Sequence, residues 1–522
     1  MTNIRAGTFT IASAMAIWAL SGSSAWAGGS GENAVLIIDP NDATSVWLGQ
    51  YYKNARQIPD RNVIYMTPGA ANHAAFRAVN LQALAGSVAG IEDHADYILI
   101  APTPTFFVAA PGMITDSCYP VSRFSISGAY STAFILDDFV GGAPSTLQNR
   151  YFSSSNSAVA FDSATTWLSG SASAQPTARR YYIGALLGCT APLGNTPEQI
   201  IAMIDRGTAV EGTRPEGTIY LMNNTDDGAR NVRAGQYAAV QNTIVNNLHR
   251  LAGIWPGRLP WGQRDVLGMV TGFSSVDLQG ANIDILPGAY CDHLTSYACT
   301  FDAADQTKAS EWITKGASGT AGTVEEPCNY PGKFTNSRLH VWYLQGMTLG
   351  ESYFRSVQYA PFQNLLLGDA LVRPFAYIPA VSVSGVPTEP VSGVVELTPT
   401  ATTDQPRVTV PAFELLIDGE LAGAAASGER FSVDTRALAD GWHDVRVLAK
   451  DNTPNKTTGR WIGSMVVSNR GRSASLSTAT TTANLSDTIT FTLGASGLPV
   501  REIQLVQNGR VIASAGDSGE LQ

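Results

Sequence analysis

The chain is poor in charge. Only 15% of its 522 residues are charged, the formal net charge is −10 at pH 7, and lysine and arginine never form a run longer than two. Proteins that bind nucleic acid present a basic surface that neutralises phosphates, and this sequence offers no such surface. Glycine is abundant instead, with 50 residues. The acidic net charge excludes nucleic-acid binding, and the low charge content with abundant glycine favours an exported, loop-rich protein.

Long apolar runs are also absent from the sequence. A helix that crosses a bilayer needs about 20 apolar residues, and no segment approaches that length. The shorter apolar run Phe9–Leu20 follows one early cation, Arg5, and is followed by small residues that end in Ala25-Trp26-Ala27. This three-part pattern predicts a signal peptide over residues 1–27, with cleavage before Gly28. We expect a secreted protein (periplasmic, extracellular or cell-surface) without a membrane span.

Cysteine is scarce, and the number of cysteines is odd. An oxidising compartment allows at most two disulfides within this chain and leaves one thiol over. The five residues are Cys118, Cys189, Cys291, Cys299 and Cys328.

Apolar strand-like runs alternate with amphipathic helix-like segments over residues 34–376. This alternation predicts a parallel sheet that is covered by helices on both faces. We expect two packed sheets or one continuous sheet, with a boundary near residues 190–215. The α/β region would comprise one subdomain at 34–195 and a second subdomain at 196–380, which carries the candidate site.

The pattern changes after residue 380. Short alternating strands follow at a spacing of about ten residues, with turn residues between them, which predicts an Ig-like β-sandwich over 381–470. Residues 471–522 begin a similar module. They supply only about half of the ~100 residues that such a sandwich needs. We therefore expect an incomplete second Ig-like module, with residues 480–522 poorly ordered or packed as an incomplete sheet.

A combination of segments gives the α/β region a specific signature. They are "SVWLGQYYKNARQIPDRNVIYM", "RYYIGALLGCT", "TPEQIIAMIDRG", "GAYCDHLTSYACTF", "WITKGASGTAGTVEEP" and "GDALVRPF". Together they resemble a family of secreted bacterial proteins of unassigned function, over about residues 34–376. More remotely, the layout is similar to gingipain-type cysteine peptidases. That resemblance implies a multidomain fold, in which a caspase/gingipain-like α/β core of two parallel-sheet halves precedes an all-β Ig-like sandwich.

The gingipain pattern places a His-Gly at the end of one strand and a nucleophilic cysteine at the end of the next. Here the first strand, "VLGMVTGF", ends in Gly272-Phe273 without a histidine. The second position matches Cys299, so the resemblance implies Cys299 as the nucleophile but supplies no base. A thiol without a base is a weak nucleophile at neutral pH. His293, six residues earlier, is the candidate replacement.

The stretch Gly288–Phe301 is compatible with a Cys/His pair, part of a metal site or a disulfide loop. A nucleophile needs its base within ~3 Å, and a turn could bring His293 to Cys299. Oxidising conditions favour the disulfide interpretation. The expected pair is Cys299–Cys328, with Cys291–Cys299 as the competitor. Either disulfide would remove Cys299 as a resting nucleophile.

Carboxylates complete the candidate site. Glu325 and Glu326 follow the small-residue strand "GASGTAG", and open α/β sheets bind ligands at the carboxyl ends of their strands. Glu325 could act as acid or base, whereas Asp292 and Glu326 are candidate binding residues. A strand–helix–strand unit returns the chain beside its start. We therefore expect four residues to lie close together: His293, Cys299, Glu325 and Cys328.

Metal binding has weak support in the sequence. Neither HExxH nor CxxC spacing occurs, and one histidine is too few for a zinc site. Calcium needs only oxygen ligands, which Asp137-Asp138 and Asp226-Asp227 could supply, but neither pair belongs to a calcium-loop motif. We expect no cofactor, with calcium as the one ion that remains possible.

Two functions stay open. The first is a secreted cysteine-dependent or carboxylate-dependent hydrolase of peptidase type. The second is a non-catalytic extracellular or envelope protein that binds a protein or a polysaccharide through a degenerate enzyme scaffold. The missing histidine and the disulfide-prone cysteines favour the binding protein.

Overall fold

The computed structural model describes residues 3–5, 29–115, 121–143, 147–326, 328–480, 482–483, 487–497, 502–515 and 519–521. Cys118 and parts of the segment 480–522 lie outside these ranges. Up to residue 370 the described strands are β1 (Asn3–Arg5), β2 (Ala34–Ile38), β3 (Val63–Tyr65), β4 (Tyr97–Ile100), β5 (Phe107–Ala109), β6 (Arg123–Ser125), β7 (Trp167–Leu168), β8 (Ser171–Ala172), β9 (Ile183–Leu186), β10 (Thr218–Asn223), β11 (Leu251–Pro256), β12 (Val266–Gly272), β13 (Ile285–Leu294), β14 (Gly319–Thr323) and β15 (Asn364–Gly368).

Helices connect most of these strands. Asp42 caps the first helix by accepting hydrogen bonds from the backbone N–H groups of Thr44 and Ser45. None of the helices within the described ranges is long and apolar enough to cross a membrane. The α-helices are α1 (Ala43–Arg56), α2 (His73–Ala75), α3 (Gln82–Val88), α4 (Ile126–Ser131), α5 (Pro197–Ala209), α6 (Ala234–Asn242), α7 (Ser310–Lys315), α8 (Leu339–Leu344) and α9 (Leu349–Ser356).

One continuous sheet of ten strands forms the centre of the α/β region, in the order β11-β10-β12-β13-β14-β15-β9-β4-β2-β3. β13 is parallel to β12 and to β14, and β2 is parallel to β3 and β4, whereas β14 and β15 are antiparallel. The expected α/β sheet is thus confirmed in its coarse form, as a single mixed sheet. All five residues of β2 are buried, as is typical of a parallel strand with both faces covered.

A second unit follows the α/β region and consists of two antiparallel sheets. One sheet has the order β16-β17-β20 and the other β19-β18-β21-β22. A separate hydrophobic core, which includes Leu397, Phe413 and Val447, lies within this unit, which we call the sandwich. Its strands are β16 (Ala380–Ser384), β17 (Val394–Thr402), β18 (Ala412–Ile417), β19 (Glu420–Ala426), β20 (Phe431–Asp434), β21 (Gly441–Lys450) and β22 (Thr458–Val467).

The C-terminal segment forms two small sheets with a core of Leu493, Ile503 and Leu505. One sheet has the order β23-β24-β27, and the other has the order β1-β25-β26. β1 lies inside the predicted signal peptide, so cleavage at the predicted site would leave β25 with an unpaired edge. The strands are β23 (Ser473–Ser477), β24 (Phe491–Ser496), β25 (Ile503–Gln507), β26 (Arg510–Ala515) and β27 (Gly519–Leu521).

Candidate functional site

The candidate residues lie where β13 and β14 end. The two strands are parallel, with Tyr290 paired to Gly319, so their carboxyl ends meet at one edge of the sheet. The chain that leaves β13 folds back across the end of β14. A hydrogen bond of 3.0 Å, which the backbone N–H of Cys299 donates to the carbonyl oxygen of Thr323, marks this contact. The expected return of these two segments to one edge is therefore present.

His293 is buried beside α7. Its Nε2 lies 3.0 Å from the carbonyl oxygen of Thr307, and its Nδ1 accepts a hydrogen bond of 2.8 Å from the indole N–H of Trp312. Trp312 can only donate, so the ring is the Nε2–H tautomer. Burial lowers the pKa of His293 to about 4. Both ring nitrogens are therefore in use, and none is left to accept a proton from a thiol.

Cys299 is fully buried. Burial, followed by the neighbouring Cys189 thiol, raises the pKa of Cys299 well above its ordinary value. Its sulfur packs against β14, where a Cβ added at Gly322 would lie 3.1 Å from Sγ and 2.5 Å from the Cβ of Ala298. The small residues of this strand thus allow the loop to lie directly on the sheet. The thiol is held neutral and away from solvent.

The cysteines do not pair as expected. Cys189, Cys291 and Cys299 are free thiols. Neither Cys299–Cys328 nor the competing Cys291–Cys299 is formed, since both pairings need Cys299. Cys328 takes part in a disulfide. The physical reason lies in packing, because Cys291 on β13 belongs to one hydrophobic cluster with Trp312, whereas Cys299 belongs to another with Cys189.

Glu325 is held by residues other than His293 and Cys299. Ser122 donates to it through its backbone N–H at 2.9 Å and through its hydroxyl at 2.7 Å, and the amide of Gln363 donates at 2.9 Å. Glu326 contributes its carbonyl oxygen to the same amide at 3.4 Å. In the described part of the chain, no hydrogen bond joins Glu325 to His293 or to Cys299.

Asp292 belongs to a buried polar cluster on the other face of β13. The guanidinium of Arg233 lies 2.7 Å from its carboxylate, and the hydroxyl of Tyr290 donates to it at 2.8 Å. The hydroxyl of Thr335 also donates to it. Arg233, at the start of α6, is almost fully buried. Arg233 is not among the residues predicted from the sequence, although a cation at a helix start in a chain so poor in charge was the available signal.

Most of the aspartates that are candidate calcium ligands form ion pairs with arginines. Asp137 contacts Arg77 at 2.7 Å, Asp138 contacts Arg179 at 3.0 Å, and Asp227 contacts Arg230 at 2.9 Å. Within the described residues, no three or more His, Cys, Asp or Glu side chains are grouped so that they could hold a metal ion.

The comparisons with known proteins do not assign the chain to a family. No family model matches the chain, and no curated protein matches it significantly. Among solved structures, the fibronectin(III)-like modules of CbhA from Clostridium thermocellum share 18% identity, over 20% of this chain and 51% of that one, with a TM-score of 0.15. The chain spans about half the length of that structure, and at this TM-score the likeness carries no structural argument.

Proposed function

We propose that the protein is an exported, non-catalytic binding protein of the envelope or the extracellular space. Its α/β region would be a caspase/gingipain-like scaffold that has lost cysteine peptidase chemistry, and the sandwich and C-terminal segment would be Ig-like modules. The observation that carries the proposal is the state of the two residues that such chemistry would need. Cys299 is a buried neutral thiol, and His293 has both ring nitrogens engaged.

A working dyad would need the opposite arrangement. The thiolate is the nucleophile, and a base within hydrogen-bond reach must take its proton. Here burial opposes the thiolate, and the low pKa of His293 opposes proton uptake at neutral pH. Rearranging the pair would break the His293–Trp312 hydrogen bond and expose the thiol. The geometry therefore favours a structural role for both side chains.

Thiol labelling of the full chain tests this proposal. With iodoacetamide at neutral pH, we expect Cys299 to stay unlabelled in the folded protein and to become labelled in urea, together with the equally buried Cys189 and Cys291, which serve as internal controls. Peptide mapping by mass spectrometry identifies the labelled residue. Rapid labelling of folded Cys299 alone, together with peptidase activity that Cys299→Ser abolishes, would refute the proposal.

A carboxylate-dependent hydrolase is the second candidate. It is favoured by the position of Glu325, which is half-buried at the carboxyl edge and bonded to the Ser122 hydroxyl. However, the donors from Ser122 and Gln363 occupy both carboxylate oxygens. Hydrolysis of a peptide or glycoside by the full chain, lost in Glu325→Gln and kept in Glu326→Gln, would establish this alternative.

A further inference from the structure

A cavity of about 650 Å³ lies between the α/β region and the sandwich. This size falls within the range of pockets that hold small ligands, and such pockets occur preferentially between domains. None of the described residues that line the cavity belongs to the β13–β14 edge. It is lined by Ser157, Ala158, Arg214, Leu248, His249, Arg250, Leu344, Gln345, Phe375, Tyr377, Gln405, Thr453, Pro454 and Asn455.

The charge of this lining is opposite to that of the chain. The protein has 43 acidic and 33 basic residues. Among the described residues that line the cavity, however, the basic side chains are Arg214, His249 and Arg250, and no carboxylate is present. A concave surface with one sign of charge attracts ligands of the other sign. The cavity is therefore suited to an anion.

The two guanidinium groups are held in place by contacts that leave donors available. Arg250 lies over the ring of Phe375, 5.2 Å from its centroid, and donates one bond of 2.9 Å to the carbonyl oxygen of Pro215. Arg214 lies over the ring of Tyr377 at 4.2 Å, and one of its N–H groups pairs with Asp404 outside the lining. Aromatic stacking fixes the planar groups without using up their hydrogen-bond donors.

The rest of the lining is rich in neutral polar groups. Amides and hydroxyls come from both units, from Gln345 and Ser157 in the α/β region and from Gln405, Thr453 and Asn455 in the sandwich. Thr453, Gln345 and Asn455 already donate hydrogen bonds within the protein, so these side chains offer a ligand mainly acceptor oxygens. Acceptor oxygens match a ligand with many hydroxyls, since each hydroxyl can donate. A bare inorganic anion would leave most of them without a ligand partner. The combination of anion-binding cations and neutral polar walls is the chemistry that recognises an acidic sugar.

We propose that this cavity binds an acidic saccharide. A sugar carboxylate would contact Arg250, Arg214 and His249, while the ring hydroxyls would meet the amide and hydroxyl side chains. The inference rests on the proposed binding function and names its ligand class. It does not depend on the β13–β14 edge, so the thiol experiment and the binding experiment below can fail independently.

Calorimetric titration of the full chain with trigalacturonate tests the proposal, with neutral galactotriose as the matched sugar. Triglutamate and inorganic phosphate are titrated at equal ionic strength. We expect trigalacturonate to bind most tightly, and Arg250→Met to weaken its binding roughly tenfold or more, since a charge-assisted hydrogen bond is lost. His249→Asn should also weaken binding. It removes an exposed side chain and keeps a residue that tolerates the left-handed backbone, where φ is 54°.

Arg264→Met is the control. Arg264 is a half-exposed arginine that pairs with Asp284 at 2.9 Å and does not line the cavity, so its loss should leave the affinity unchanged. Tighter binding of triglutamate or phosphate than of trigalacturonate would overturn the ligand class. Equal affinity in Arg250→Met, His249→Asn and Arg264→Met would overturn the site. Binding of galactotriose alone would overturn this inference while leaving the proposed binding function in place.

Discussion

Replacing Glu32 by Gln should loosen the contact between the α/β region and the sandwich. Glu32 lies two residues before β2 and is fully buried. Its carboxylate lies 2.6 Å from the guanidinium of Arg446 and 3.1 Å from that of Arg460, both on sandwich strands, and accepts a bond of 2.6 Å from the Ser30 hydroxyl. Glutamine keeps the size of the side chain but removes its charge.

The expected magnitude follows from the pKa of Glu32. Burial alone would raise this pKa, but Arg460 and Arg446 outweigh burial and lower it from 4.5 to about 2. By linkage, the difference corresponds to about 3 kcal/mol of stability at neutral pH. Removing one partner of a buried ion pair costs a similar ~3–5 kcal/mol. Glu32→Gln should therefore lower the free energy of unfolding by about 3 kcal/mol at pH 7.

The pH dependence has a definite sign. Since the folded pKa lies below the unfolded one, the stabilisation is complete above about pH 4.5 and is lost as the pH falls toward 2. The difference between the wild type and Glu32→Gln should shrink by about 2 kcal/mol between pH 7 and pH 3. A mutation that acted through packing alone would give a difference that does not change with pH.

Urea unfolding, followed by tryptophan fluorescence, to which Trp442 and Trp461 in the sandwich contribute, measures this difference. Glu420→Gln is the control, because Glu420 also joins the two units, through Arg61 at 3.2 Å, but is 59% exposed. An exposed pair of this kind contributes at most about 1 kcal/mol. Equal destabilisation by both variants, or a Glu32→Gln difference that stays constant from pH 7 to pH 3, would refute the reasoning.

Three further outcomes are expected. N-terminal sequencing of the exported protein should begin at or near Gly28, and a retained initiator methionine would contradict the signal peptide. Arg233→Met should cost about 3–5 kcal/mol in urea unfolding, because it leaves Asp292 buried without its cation; a loss under about 1 kcal/mol would argue against a buried ion pair. Amide hydrogens of residues 480–522 should exchange faster than those of 381–470, because small sheets leave open edges, and equal rates by mass spectrometry would contradict this.

Local features of the fold could be predicted because their causes are local. The apolar run Ala34–Ile38 is a buried strand, as its composition indicated. Thr196 caps α5 by accepting from the backbone of Gln199, whose side chain bonds back to the cap. The small-residue strand before Glu325 does pack closely, through Gly322. Each of these features depends on a few adjacent residues and on one period or one cap.

The chemistry of the candidate site could not be predicted in the same way. Asp292 and His293 are neighbours in the sequence, but successive side chains on a strand point to opposite faces. One therefore meets Arg233, which is 59 residues away, and the other meets Trp312 on α7. The predicted cysteine pairing was wrong for the same reason. The spacing of cysteines in the sequence shows neither their burial nor the face of the sheet on which each thiol lies. These properties depend on packing partners from distant segments.

The distribution of the few charges separates the structural clusters from the proposed ligand site. Several buried guanidinium groups of this chain have carboxylate partners, as Arg233 has Asp292 and Arg446 has Glu32. Such pairing is what burial of a charge requires. In the cavity beside the sandwich, Arg250 has no carboxylate partner among the described residues and shares the lining with a second arginine and His249. A bound anion would supply Arg250 with the charge partner that it lacks. An acidic sugar that binds there should therefore also stabilise the contact between the two units.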